Sequence, residues 1–414
     1  MDENRRGWGS PWLLVGILAV GAFTTSLNIM MISPLLKPIS DDLGVSNAAA
    51  GQLATLMAGF AGLTALLVAP WLDRFSRRAW LQCESLLLGA GTVLSVLAPS
   101  FAWLFVGRAL AGVGGAVIFA VCLAAVGDLF PQPSQRNQVI GVVGTAATLG
   151  AIVGLPVVAQ LAAMSGWRWA MAAILPFAAI LAVGASGLPR ATTPRVGSMW
   201  HGWASGYQRV LANRETVSLL GVMVALCVAW FGWLIYFGAY AQTVFGLGAA
   251  ALSLLFLVGG GAEVIANNVT PVLLRLHSPR TVVLGATVVL ATNLLGVGII
   301  YAQPWALIPF IAIASLSSVV VFTATSILLL DSQPAARGAV MALQSAGIEF
   351  GAAMGAASVG AGLAVLADYE AVYRLLGFAL PVLVVPLVLI GCHRGPALGL
   401  DPAEAALQAL PIAE

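Results

Sequence analysis

Apolar residues run in long unbroken blocks along this chain, and polar residues gather in the short gaps between them. The blocks fall at approximately 11–33, 49–71, 79–99, 101–127, 137–163, 167–187, 216–241, 248–274, 281–302, 304–330, 338–366 and 371–391. Each is long enough to cross a hydrocarbon core, which takes about 20 residues of helix. Lipid offers no partner for backbone N–H and C=O groups, so each block is predicted to be a helix. The period-two alternation of a membrane β-barrel is absent. The pattern predicts an all-α integral membrane protein with twelve transmembrane helices.

Composition agrees. Hydrophobic residues fill 60% of the 414 positions and charged residues 8%, against roughly 25% charged in a soluble domain. The net charge of +2 gives no case for a nucleic-acid partner. Cys83, Cys122, Cys227 and Cys392 are scattered and form no C-x-x-C pair, which suggests neither a metal site nor a disulfide framework. His201, His277 and His393 make no H-E-x-x-H, and no G-x-x-x-x-G-K-[ST] occurs. The expectation is a protein without cofactor or ATP motor, and not an enzyme. Arg5 and Arg6 precede an apolar run too long for a secretory h-region, so that run reads as the first span.

The basic residues set an orientation. With the N-terminus inside, Arg5, Arg6, Arg74, Arg77, Arg78, Arg136, Arg190, Arg195, Arg209, Arg214, Arg275, Arg280, Arg337 and Arg394 fall in cytoplasmic segments. Lys37, Arg168 and Arg374 stay outside, and Arg108 lies within a span. This bias predicts a multi-pass protein of the inner (cytoplasmic) membrane with both termini cytoplasmic.

The longest gap divides the chain into halves. A six-helix bundle is expected over 1–187, a cytoplasmic linker over 188–215, a second bundle over 216–392 and a tail over 393–414. In the linker, Trp200, Trp203, Tyr207 and Val210 recur at helical spacing, which suits either an interfacial helix or an ordinary polar linker. The halves read as repeats. Asp128-Leu-Phe-Pro131 followed by Arg136 is echoed by Asp331-Ser-Gln-Pro334 followed by Arg337. Repeated halves with a substrate site between them near the midplane are a recurring transporter design.

Three motifs carry a resemblance. Ala69-Pro-Trp-Leu-Asp73-Arg74-Phe-Ser76-Arg77-Arg78 follows the second block, Arg108-Ala-Leu-Ala-Gly112-Val-Gly114-Gly115-Ala116 lies in the fourth, and Gly150-Ala-Ile-Val-Gly154-Leu-Pro156 in the fifth, followed by Gly166-Trp167-Arg168. They resemble, in order, the G-x-L-x-D-R-x-G-R-R loop, the R-x-x-x-G-x-G-x-A pattern and the G-x-x-x-G-P antiporter motif of the major facilitator superfamily. Ala69 and Ser76 replace two glycines, and one residue is inserted before Pro156. The variant with its following G-W-R is similar to the arabinose-efflux-like drug and metabolite exporters. The corresponding loop of the second half, Leu274-Arg275-Leu-His277-Ser-Pro-Arg280, has lost its acid. The resemblance spans essentially the whole chain and implies two pseudo-repeated six-helix bundles.

It also implies roles. Asp73, Arg74, Arg77, Arg78, Asp128 and Arg136 form a cytoplasmic charge cluster, which in the family latches one conformation; the arginines also serve topology. Arg108 is a charge inside a span, where a partner or wet cavity is required; the resemblance gives it a part in tuning a proton site. Glu263 and Glu349 are the acids deepest in the apolar blocks. A carboxyl that loads and releases a proton as access alternates is what coupling requires, and a hydrogen-bonded structural acid is the other reading. Asn28 stands where many drug exporters place an acid. Asn28, Tyr236, Tyr240, Asn267 and Gln344 are candidate substrate contacts. Gly150, Gly154 and Pro156, and Gly347, Gly351 and Gly355, form small-residue stripes for close helix packing.

The reading is a secondary active transporter, monomeric in the bilayer, exporting a small molecule in exchange for protons. Proton-coupled import on the same fold is one alternative. A lipid translocator or sensor reusing the fold is another.

Overall fold

The computed structural model describes residues 11–72, 74–130, 132–189, 207–208, 210–333 and 337–390. Most of the linker, the tail, Asp73 and Pro131 lie outside the described residues. The described residues form helices and no strand; Val297 and Tyr301 make one isolated bridge.

Twelve spans follow in chain order. Span 1 is Pro11–Met30, continued by a buried extension Ile32–Leu43; span 2 is Asn47–Val68 and span 3 Arg77–Val96. Span 4 is Phe101–Gly115 with Ile118–Leu129, span 5 Pro133–Ile152 with Gly154–Ser165, and span 6 Trp167–Ala172 with Leu175–Gly184. Spans 7 and 8 are Arg214–Phe245 and Ala249–Leu276. Spans 9 to 12 are Pro279–Leu295, Leu307–Ser332, Arg337–Leu366 and Tyr369–Ile390. Eleven of these are long and apolar enough to cross a membrane, and span 9 is a shorter apolar twelfth of 17 residues.

Span 9 ends at Leu295, whereas the apolar block runs to 302. Gly298 takes a left-handed φ of 76°, and the chain turns back so that Tyr301 Oη donates to Asn293 Oδ1 at 2.7 Å. Span 5 is broken at Val153. Pro156 supplies no N–H, and its ring excludes the carbonyl four residues back, which interrupts the helix there.

The two halves repeat each other. In the first, span 1 packs on spans 4, 5 and 6, and span 4 on spans 2 and 3. In the second, span 7 packs on spans 10, 11 and 12, and span 10 on spans 8 and 9. Helix ends repeat as well. Gly44 and Gly246 close their helices in the left-handed conformation, φ 63° and 64°. Ser76 and Ser278 each cap the next helix through a side chain accepting from the N–H three residues on. The small-residue stripes pack inside each half. Gly150 and Gly154 lie against Phe23, Ser26 and Leu27 of span 1, while Gly351 and Gly355 lie against Val224, Cys227 and Val228 of span 7.

Between halves, span 2 packs on span 11, span 5 on span 8, and the extension of span 1 on span 7.

Candidate functional site

The chain enters span 1 and leaves span 12 at the same end of the bundle, here the terminal end; the opposite end is the far end. At the far end the halves are bonded together. Ser33 Oγ donates to the Leu234 carbonyl at 2.5 Å, Asn47 Nδ2 to Tyr369 Oη at 2.9 Å, and Tyr236 Oη to the Ala48 carbonyl at 3.4 Å, while also reaching the Ala356 carbonyl of its own half. A Cβ on Gly238 would overlap the Ser33 carbonyl, so the two backbones touch there. Toward the middle, Gln160 Nε2 donates to Ser253 Oγ at 3.1 Å, and Ser253 Oγ to the Pro156 carbonyl at 3.2 Å. At the terminal end two ion pairs each lie within one half: Arg77 with Asp128 at 2.9 Å, and Arg280 with Glu215 at 2.6 Å.

Below this seal lies a cavity of about 220 Å³. Met30 of span 1, Cys227, Trp230 and Phe231 of span 7, Ser318 and Phe322 of span 10, and Ile348 of span 11 line it. Glu263 of span 8 supplies the carboxyl in this wall. It is half-buried and has no hydrogen-bond or ion-pair partner among the described residues. Ser318 Oγ is buried and likewise unpartnered. The site is thus an apolar chamber with three aromatic side chains in its wall, one half-buried acid and one buried, unpartnered hydroxyl.

Glu349 follows Ile348 of the chamber wall but turns to the seam with span 2. A Cβ on Gly62 would stand 3.1 Å from its own Cβ, and its Oε2 is buried without a partner. Gln344, one turn earlier, donates through Nε2 to Ser326 Oγ at 2.8 Å and leaves Oε1 unpartnered. Asn267 is exposed one turn beyond Glu263. Tyr236 and Tyr240 are fully buried in the far-end seal rather than in the chamber wall. Tyr240 packs on Phe245, Tyr369 and Tyr373. The seal residues Ser33, Asn47, Thr243 and Tyr369 carry no sequence signal beyond small polarity near helix ends.

Arg108 is fully buried in span 4. Nη1 donates to Asn28 Oδ1 at 3.2 Å and Nη2 to the Asn28 carbonyl at 3.1 Å; Nη2 also contacts Met57 Sδ, and Nε has no partner. Its neighbours are thus an amide and a thioether, with no carboxylate. Glu84 of span 3 is 3% exposed and accepts from Val117 N–H at 3.1 Å. Val117 sits at the break in span 4, where the helix leaves an N–H without an internal partner, and the carboxyl supplies it.

Of the terminal-end charges, Arg77 is bonded to Asp128 and to the Leu72 carbonyl at 2.7 Å. Arg78 turns to span 6, donating to the Ser186 carbonyl at 2.8 Å. Arg74 and Arg136 have no partner among the described residues. At the far end, Asp42 accepts from Arg168 at 2.6 Å and from Trp167 Nε1 at 3.0 Å. These bonds, Arg168's first, hold the Asp42 carboxyl below its ordinary range.

Two repeated six-helix halves, bonded together at one end, define an all-helical multi-pass membrane protein. The chain belongs to the Major Facilitator Superfamily, whose model matches residues 18–300. It is 33% identical over 189 residues to the puromycin resistance protein pur8 of Streptomyces alboniger, covering 45% of this chain and 36% of that protein. It is 27% identical over 269 residues to the transcription regulatory protein OpdE of Pseudomonas aeruginosa, covering 64% and 66%. An uncharacterized MFS-type transporter of Bacillus subtilis, YwfA, is 31% identical over 163 residues, 38% of each chain. The alignments thus span from about a third to two thirds of these relatives. In fold the chain is similar to a bacterial homolog of the human lysosomal transporter Spinster, in an inward-facing conformation (TM-score 0.69, 16% identity, 92% and 97% covered). It is also similar to the peptide transporter POT in complex with alafosfalin (TM-score 0.74, 15% identity, 94% and 96% covered).

Proposed function

We propose that the chain is a proton-coupled exporter that moves a small molecule across the cytoplasmic membrane by alternating access. The observation that carries this reading is the carboxyl of Glu263, half-buried in the wall of an apolar chamber of the second half that Met30 of the first half also lines, and bonded to no described residue. A charge in such surroundings is costly unless it is neutralised by a proton or paired with a ligand. Competition between the two for one carboxyl links proton entry to ligand release. Glu349, with an unpartnered oxygen at the seam of spans 2 and 11, is the second site on this path.

Alternating access follows from the distribution of contacts. The far-end bonds through Ser33, Asn47 and Tyr236 join the halves and must break for the far end to open. Rocking about the span 2–11 and span 5–8 seams exposes the chamber to either side. The Arg77–Asp128 pair with Asp73 nearby in sequence forms the terminal-end latch, and Arg108 on Asn28 tunes the coupling path. The arginine bias places the terminal end, both termini and residues 188–215 in the cytoplasm, which makes the sealed far end extracellular and this conformation inward-facing.

Export, rather than import, is supported by the likeness to a puromycin resistance protein, and an aromatic chamber with one acid suits an apolar cation. Puromycin is therefore the first probe. Cells expressing the chain are expected to accumulate less of it, and dissipating the proton gradient should abolish the difference. Equal accumulation with and without the gradient would overturn proton coupling. Labelling of cysteines introduced at Ser198 or Ala406 by an impermeant reagent from outside intact cells would overturn the topology.

A further inference from the structure

The loop joining spans 8 and 9 occupies the place of the acidic-basic loop between spans 2 and 3, but it carries Arg275, His277 and Arg280 and no acid. Arg280 is paired with Glu215 of span 7 at 2.6 Å. Arg275 is exposed and has no partner among the described residues, and neither has the His277 side chain. This turn therefore presents cationic chemistry that its own half leaves uncompensated.

Directly beside it, spans 8 and 9 diverge, and each packs on span 10 instead. The gap between them is a groove of about 340 Å³ lined by second-half residues, of which His277, Thr281, Gly285 and Val289 are exposed. Leu316 and Val320 of span 10 form the floor, Leu273 and Val289 stand on the walls, and His277 closes the mouth. Gly285 lies midway along one wall, and a Cβ built there meets nothing within 4 Å. Along span 9 the groove runs from Thr281 to Val289, roughly 12 Å at 1.5 Å per residue. That is close to the depth of one leaflet of a hydrocarbon core about 30 Å thick.

We propose that this groove is a binding site for an anionic glycerophospholipid. One acyl chain lies on the Leu316–Val320 floor, and the phosphate sits at the mouth with His277 and within reach of Arg275. At membrane depth the solvent is hydrocarbon, so an acyl chain is the available filler. The cationic turn at headgroup level selects an anion among the lipids. The site is separate from the chamber and does not depend on which molecule is transported.

The test uses the purified full chain in detergent, mixed with dioleoyl-phosphatidylglycerol or dioleoyl-phosphatidylcholine and read by native mass spectrometry. The wild type should retain phosphatidylglycerol in preference. A basic residue near the surface contributes roughly fivefold to attraction of anionic lipid, so Arg275→Gln with His277→Gln should lose about that much preference or more while leaving the groove intact. Gly285→Leu should fill the groove and lower the occupancy of both lipids. Equal retention of the two lipids by the wild type would overturn the proposal. So would an unchanged preference in the Arg275→Gln, His277→Gln variant. Binding of soluble sn-glycerol 3-phosphate as strong as that of the lipid would make the turn a phosphate site and the groove irrelevant.

Discussion

Arg108 and Asn28 meet in the interior of the first half, with the guanidinium donating to both the side-chain and the backbone oxygen of the asparagine, at 3.2 and 3.1 Å. A fully buried cation rests on a neutral amide. Hydrogen bonds to charged groups contribute about 1.5–3 kcal/mol, and removing one partner leaves the other desolvated. Asn28→Leu is therefore expected to lower the unfolding temperature in detergent, and Asn28→Asp, which gives the cation a counter-charge, to raise it. Thermal unfolding of the two variants at pH 7–8 checks this. An unfolding temperature unchanged in Asn28→Leu would mean that the cation is compensated elsewhere.

The far-end seal gives a prediction about motion. Asn47 and Tyr369 bond directly across the halves at 2.9 Å. Cysteines at both positions, bridged by a short bis-methanethiosulfonate reagent that spans the length of the lost tyrosine ring, should lock the far end and stop transport, with activity returning on reduction. Gly238→Val, which drives a side chain into the Ser33 carbonyl, should shift spin-label distances toward an open far end. Transport that continues in the cross-linked protein would show that this end does not open during the cycle.

The latch pair should have little effect on stability. Arg77 and Asp128 lie 2.9 Å apart, but the Asp128 side chain is 61% exposed, and exposed ion pairs contribute about 0–1 kcal/mol. Asp128→Asn is expected to leave unfolding nearly unchanged while altering the ratio of conformers, measured by spin-label distances between the halves. A large loss of stability with unchanged conformer ratios would make the pair structural.

The far-end cluster of Asp42, Trp167 and Arg168 responds to pH. Because its bonds hold the Asp42 carboxyl below its ordinary value of 3.8, the folded state binds fewer protons there than the unfolded state. The resulting stability is fully present above 3.8 and is lost as pH falls through the lower folded value. Asp42→Asn should thus lower the unfolding temperature at pH 7, and the gap from wild type should close as pH drops toward 3. A gap independent of pH would assign the effect to packing.

Much of this architecture was written in the apolar blocks. Twelve runs of hydrophobic residues could only be helices in lipid, and the repeated Asp-x-x-Pro ends announced two halves. Glu263 was legible for the same reason: a carboxyl inside an apolar run must have a use or a partner. The seal was not legible. Ser33, Asn47 and Thr243 look like ordinary residues near helix ends, and their partners, Leu234 and Tyr369, are about 200 to 320 positions away. Tyr236 and Tyr240 signalled a binding face, but an aromatic stripe reads alike whether it lines a chamber or fills a seal. Glu84 lies near the start of its apolar block and gives no signal there. Its bond to Val117 depends on a break in span 4 that the apolar pattern does not mark.

The central claim is that acids within the membrane couple the proton gradient to transport. The most direct measurement is pH-gradient-driven uptake into liposomes containing the Glu263→Gln, Glu349→Gln double variant, using a substrate first identified by its stabilisation of the folded chain. The account predicts that the variant still binds the substrate and exchanges it without energy, but no longer concentrates it. Uphill accumulation by the double variant at the wild-type level would contradict the claim.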